Sequence, residues 1–166
     1  MTGVSSAGVV SLWRISKETT AFGAADLSGE GARRFGGRWN AKGQAVVYCS
    51  TTIALAALET LAHVDGDFAV RNRFLVRVSV PLDVFEAAKR LNAGRLSPAW
   101  AAQPPGITSA MIGGKWLASM STCLLVVPSV LVPEEHNVLI NPRHPDARRI
   151  RAKVVRPFAF DARMEH

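Results

Sequence analysis

The stretch Gln44–His63, QAVVYCSTTIALAALETLAH, changes character halfway, and that change decides the fold class. Gln44–Cys49 is rich in β-branched and aromatic side chains, which predicts a strand. Thr51–His63 is dominated by Ala and Leu, strong helix formers, with Ser50 placed to cap the helix. Upstream, Val9–Ile15 reads as a first strand. Ser16–Lys42 is rich in Gly and Arg with little periodicity, as expected of a long loop that carries function rather than packing. Downstream, Phe74–Val80 (FLVRVSV) alternates, with Phe74, Val76, Val78 and Val80 on one face and Arg77 and Ser79 on the other. That is a half-buried strand, ended by the Pro81-Leu82-Asp83 turn. Val84–Leu91 is expected to form a short helix, and Ser109–Met120 a longer one in spite of Gly113-Gly114. Further strands are expected at Thr122–Val127, Ser129–Val132, Asn137–Ile140 and Lys153–Phe160, with a basic turn or short helix over Pro145–Ile150. Many short strands with two or three interspersed helices predict an α+β domain with a mixed or mainly antiparallel sheet.

The 166 residues suit one domain spanning the whole chain, with residues 1–8 a candidate for disorder. Hydrophobic residues make up 48% and charged residues 20%, a globular composition. The longest apolar runs, such as Cys123–Pro128, are too short to cross a bilayer. The first residues have neither a basic n-region nor a long apolar h-region, so a secretory signal is not expected and the cytoplasm is the expected location. Cys49 and Cys123 lie in apolar contexts and read as small core residues in a reducing compartment. The four histidines, His63, His136, His144 and His166, have no ligand-like spacing with them, so no metal is expected. There is also no GxGxxG and no P-loop. The net charge is +7, and six Lys and Arg lie within Arg143–Arg156. Such a patch suits a polyanion (nucleic acid, a phosphate-bearing cofactor or an acidic protein), or is a solvated face with no ligand.

Three features carry possible chemistry. In Phe35–Asn40 (FGGRWN), two glycines let the backbone approach a ligand, and Arg38 offers a planar fork that matches pyrophosphate or carboxylate. Trp39 and Asn40 add a stacking surface and an amide; a tight turn with an exposed Arg is the plain alternative. Tyr48, the only tyrosine, ends the strand and could stack on an aromatic ring or reach a ribose, or be an ordinary strand aromatic. Glu59 is the only charged residue from Thr51 to Ala62, in a helix that reads as buried nearly all round. A carboxylate there is costly unless it is paired with an arginine in an internal salt bridge or serves a site. Together the three suit cleavage of a nicotinamide–ribose bond. A carboxylate can stabilise the developing oxocarbenium charge, an arginine can clamp phosphates, and an aromatic can position the nicotinamide.

The motifs Gly36-Gly37-Arg38-Trp39-Asn40, Val47-Tyr48-Cys49-Ser50 and Ala57–His63 (ALETLAH) resemble the RES domain, a family named for its Arg, Glu and Ser. Gly113–Leu117, Val127-Pro128-Ser129 and Glu135–Pro145 fit it too, so the resemblance runs from about Trp13 to Phe160. It implies an ADP-ribosyltransferase-like fold and a toxin of a type II toxin–antitoxin pair, with NAD⁺ as substrate and no metal. The partner implied is an Xre-like antitoxin that blocks the active site. Some members destroy NAD⁺ by hydrolysis or phosphorolysis. Another branch ADP-ribosylates phosphoribosyl-pyrophosphate synthetase, a nucleotide-synthesis enzyme, and this chain could belong there. Residue by residue, Arg38 matches the family arginine that binds NAD⁺, Tyr48 the aromatic beside the nicotinamide, Glu59 the catalytic acid and Ser129 the motif serine near the cofactor. Arg14 is a further candidate phosphate ligand, and Asn40 and Asn137 candidates for supporting the site. Ser129 is assigned binding rather than attack, because no Asp–His pair supports a serine nucleophile. A competing reading is a basic nucleic-acid-binding module built on Arg143–Arg156. No base-stacking or groove-reading pattern accompanies that charge, so no direct nucleic-acid partner is expected. The same patch could instead dock the antitoxin.

Overall fold

The computed structural model describes residues 8–63 and 71–164. The expectation about residues 1–8 therefore falls outside the described residues except at Gly8. In chain order the elements are β1 (Val9–Lys17), α1 (Glu30–Phe35), β2 (Val47–Ser50), α2 (Ile53–Ala62), β3 (Arg73–Pro81), α3 (Leu82–Glu86), β4 (Lys89–Arg90), α4 (Ile107–Ser119), β5 (Leu124–Pro128), β6 (His136–Ile140) and β7 (Arg151–Phe158). The strands form one seven-stranded sheet in the order β4-β5-β6-β2-β1-β3-β7. Every pairing is antiparallel except β4 with β5, which gives the mixed α+β core the sequence predicts.

Alternation along the strands divides the core between the two faces of the sheet. Leu12, Val47, Cys49, Val76, Val78, Leu124, Val126, Val138 and Ile140 form a buried cluster on one face. The opposite face carries two smaller clusters. Ile15 and Leu75 meet Ala56 of α2, while Trp39, Val46, Leu125, Val127 and Leu139 meet Trp116 of α4. Both cysteines are free and buried. Burial pushes each thiol up to about 12.

One weak seam matters for function. β1 and β3 pair over nine residues, but β1 and β2 share only Trp13↔Ser50. Beyond that pair Arg14–Lys17 are not laddered to β2, and the sheet opens.

Several local expectations change. α2 begins at Ile53, and its cap is Thr52, whose hydroxyl accepts from Leu55 N; Ser50 is still in the strand. The helix is not buried nearly all round: Leu55 and Ala56 are buried, whereas Ala54, Leu58 and Ala62 form an exposed stripe. Alanine on both faces hides that amphipathicity. The short helix lies at Leu82–Glu86 rather than Val84–Leu91, and Lys89–Arg90 becomes an edge strand. Ser129–Val132 is a turn rather than a strand, because the Ser129 hydroxyl accepts from Leu131 N and Val132 N and so competes with any ladder. The long loop contains α1. Gly113 sits mid-helix for a reason of packing. A Cβ there would lie 1.7 Å from the Trp39 carbonyl oxygen, so only glycine lets α4 press on the GGRWN segment.

Candidate active site

The opened seam between β1 and β2 is the mouth of a cleft of about 680 Å³, inside the usual range for small-molecule sites. Its walls come from β1, the loop after it, α1, the GGRW segment, β2, α2 and the turn after β5. The sequence candidates Arg14, Arg38, Tyr48 and Glu59 all line it, together with Asn137.

Glu59 sits on the face of α2 turned toward the sheet, and its surroundings fix its orientation. Glu59 Oε1 accepts from Ser129 Oγ and from Asn137 Nδ2, both at 2.7 Å. The proton positions follow from the next layer. Ser129 Oγ already accepts two backbone N–H groups at 3.1 and 3.2 Å, so its own proton goes to Glu59. Asn137 Oδ1 accepts from Ser50 Oγ at 2.7 Å, which turns the amide nitrogen toward Glu59. Oε1 therefore carries no proton, and among the described residues Oε2 has no hydrogen-bond partner. The internal salt bridge that the sequence left open is absent: no arginine among the described residues lies within ion-pair distance of Glu59. An acceptor oxygen held by two neutral donors can serve positive charge developing in the cleft.

Tyr48 is nearly buried, and its hydroxyl is already committed. It donates to Asn40 Oδ1 at 2.7 Å and accepts from Trp39 N at 3.1 Å. Its ring borders the cleft, while its hydroxyl belongs to the scaffold; burial pushes the phenol above its ordinary range. Asn40 is buried and donates from Nδ2 to the carbonyls of Ala32, Ala41 and Gln44, so it braces the GGRWN turn behind the cleft wall. Gly37 must stay small, since a Cβ there would lie 2.8 Å from the Tyr48 hydroxyl.

Arg38 reaches the cleft with one nitrogen anchored. Nη1 donates to the carbonyls of Trp100 at 2.9 Å and Ala102 at 3.0 Å. Desolvation lowers its pKa and the nearby Glu59 charge raises it. Arg14 donates from Nη1 to the Asp26 carbonyl at 3.0 Å, tying β1 to the loop that covers the cleft. Ser129 has no exposed surface and acts on the cleft only through Glu59.

Sequence reasoning missed several lining residues. Lys17 and Arg73 face each other across β1 and β3 and bring two more cations to the cleft. Trp13, Phe22 and His63 also line it. So does Ser16, whose buried hydroxyl has no partner among the described residues. Period-two alternation past Arg14 marks Ser16; the Lys17–Arg73 pairing depends on long-range register and leaves no local signal. Among the described residues, the guanidinium groups of Arg14 and Arg38 line the cleft with Lys17 and Arg73, beside the acids Asp26, Glu30 and Glu59, and a guanidinium fork suits a phosphate-bearing ligand. Among the described residues, no group of three His, Cys, Asp or Glu could hold a metal ion.

The RES-domain family model matches residues 11–161. A protein of Sphingobium sp. (strain YBL2), named Prs ADP-ribosylating toxin, is 47% identical over 154 residues, 93% of this chain and 96% of that protein. A protein of Pseudomonas putida named Toxin Res is 40% identical over 156 residues, 92% of this chain and 98% of its own length. Another Toxin Res, from Yersinia enterocolitica, is 36% identical over 149 residues, 86% of this chain and 92% of its own. With nearly the whole chain matched, this chain belongs to the RES-domain family.

Proposed function

We propose that this chain is the toxin of a toxin–antitoxin pair, cleaving the nicotinamide–ribose bond of NAD⁺ and transferring ADP-ribose to a protein. The observation that carries the reading is the Glu59 carboxylate, held by Ser129 and Asn137 in a cleft that Arg14, Lys17, Arg38 and Arg73 also line. The cations Arg14, Lys17, Arg38 and Arg73 would bind the pyrophosphate, and the Tyr48 ring would border the nicotinamide. As the C–N bond breaks, its electron pair leaves with nicotinamide, which departs as a neutral base and needs no strong general acid. Glu59 Oε2 would face the positive charge left on the ribose. The acceptor's nucleophilic atom then bonds to the same ribose carbon and releases its proton to solvent.

The Sphingobium relative's name makes Prs, read as phosphoribosyl-pyrophosphate synthetase, the first acceptor to try. The names of the Pseudomonas and Yersinia relatives support a partnership with an antitoxin, which we take to be Xre-like and to close this cleft. No helix of the described residues is long and apolar enough to cross a membrane. Because both NAD⁺ and nucleotide synthesis are cytoplasmic, we assign the activity to that compartment.

The test is incubation of purified protein with NAD⁺, with and without phosphate and with and without Prs, following nicotinamide and protein-bound ADP-ribose by mass spectrometry. Labelled Prs is the expected result. Turnover that leaves Prs unlabelled makes the chain a hydrolase, or a phosphorylase if phosphate is required. No nicotinamide under any condition refutes the reading.

A further inference from the structure

The sheet face that carries α2 is only partly covered. α2 packs over Ile15 and Leu75, with Phe158 at the margin. Further along the same strands the residues on this face are exposed and basic. Arg77 stands directly opposite Trp13 on one side and Lys153 on the other, and Ser79 stands opposite Ser11 and Arg151. Arg77, Arg151 and Lys153 are all exposed. Like charges directly opposed across a ladder are destabilising, so the Arg77–Lys153 pair costs the fold something. Among the described residues, none of the three has a carboxylate within ion-pair distance, whereas Arg33, Arg149 and Arg163 all do. Among the described residues the strip is thus a cationic face with no carboxylate beside it.

It also joins the cleft. The Arg77 guanidinium lies 5.3 Å from the centroid of the Trp13 ring, and Trp13 lines the cleft. A macromolecule bound on this strip would reach the cleft mouth at Trp13.

We infer that the sheet face formed by exposed Arg77, Arg151 and Lys153, bordered by half-buried Trp13, docks an acidic surface of the protein that accepts ADP-ribose. The inference rests on the transferase reading proposed for the cleft. Charge complementarity selects an acidic partner, and the shared Trp13 wall selects the acceptor, which must reach the bound cofactor. The strip speeds encounter and orients the acceptor, so it acts on capture of the acceptor and not on bond cleavage.

The test uses Arg151→Glu with Lys153→Glu in the full chain, two exposed residues that do not line the cleft. Transfer of ADP-ribose to Prs and release of nicotinamide without Prs are measured side by side, at about 0.05 and about 0.5 M salt. The expected result is a rise of roughly ten-fold or more in KM for Prs, with nicotinamide release within about two-fold of the parent. The parent's transfer should weaken with salt and the variant's should not. Arg151→Gln with Lys153→Gln should fall between them. Unchanged transfer to Prs overturns the inference. So does equal loss of transfer and nicotinamide release, which would make these residues part of the scaffold of the cleft. A labelled 20-nucleotide RNA bound by the parent and lost in the variant, with transfer intact, overturns it in favour of a nucleic-acid face. If the parent releases nicotinamide but never labels Prs, the protein-acceptor reading fails and this inference fails with it. If the parent releases none, the reading of the cleft itself fails.

Discussion

Replacing Ser129 by alanine removes a hydroxyl that has no exposed surface and touches the cleft only through Glu59. Two costs follow from its hydrogen bonds. The first is to the site: Glu59 Oε1 loses one of its two donors, at 2.7 Å, and Asn137 alone remains. A hydrogen bond to a charged group is worth about 1.5–3 kcal/mol. If that loss is expressed in the transition state, kcat falls roughly ten- to hundred-fold, since 1.36 kcal/mol is a factor of ten. The second is to the fold: the N–H groups of Leu131 and Val132 lose their acceptor, at about 1–3 kcal/mol if the turn cannot rearrange. The assay is initial-rate nicotinamide release across NAD⁺ concentrations, paired with urea unfolding. A residue that positions Glu59 should change kcat far more than KM, because the phosphate-binding cations are untouched. If Ser129→Ala stays folded and turns over within about two-fold of the parent, or loses activity only through KM, the positioning role is refuted.

Other perturbations probe the scaffold. Gly113→Ala places a methyl 1.7 Å from the Trp39 carbonyl, a backbone atom that cannot swing aside. It should cost about 3 kcal/mol, and tryptophan fluorescence should report displacement of Trp39. Tyr48→Phe leaves Trp39 N and Asn40 Oδ1 without their shared partner, for a loss of about 2 kcal/mol in denaturant unfolding. Glu30 is pulled down to about 2, first by its hydrogen bond from Arg33 and also by Arg34. A depressed pKa means that this carboxylate's contribution is whole above its ordinary value of 4.5 and disappears as pH falls toward 2. NMR titration should place Glu30 near the lower value, and Arg33→Ala should return it toward the ordinary one.

The parts of the site that were legible were those encoded within one short window. Gln44–His63 holds the strand, the helix, Tyr48 and Glu59, and the rarity of charge in that helix singled out its carboxylate. The local hydrogen bonding of hydroxyl residues was harder to read. Ser50 and Thr52 compete for the cap, and the residue nearer the helix wins because Ser50 is drawn into the ladder and onto Asn137. Ser129–Val132 has the composition of a strand, yet the serine hydroxyl gathers two N–H groups and bends the chain. Register was invisible altogether. The single β1–β2 pair that opens the cleft, and the pairings that bring Lys17 to Arg73 and Arg77 to Lys153, join residues far apart in the chain.

The most direct test of the central role given to Glu59 is Glu59→Gln, nearly isosteric and still able to accept from Ser129 and Asn137 through its amide oxygen. With the fold intact by circular dichroism, nicotinamide release from NAD⁺ should fall by roughly 10²–10³-fold or beyond detection. Turnover at the parent's rate would mean that this carboxylate does not carry the reaction.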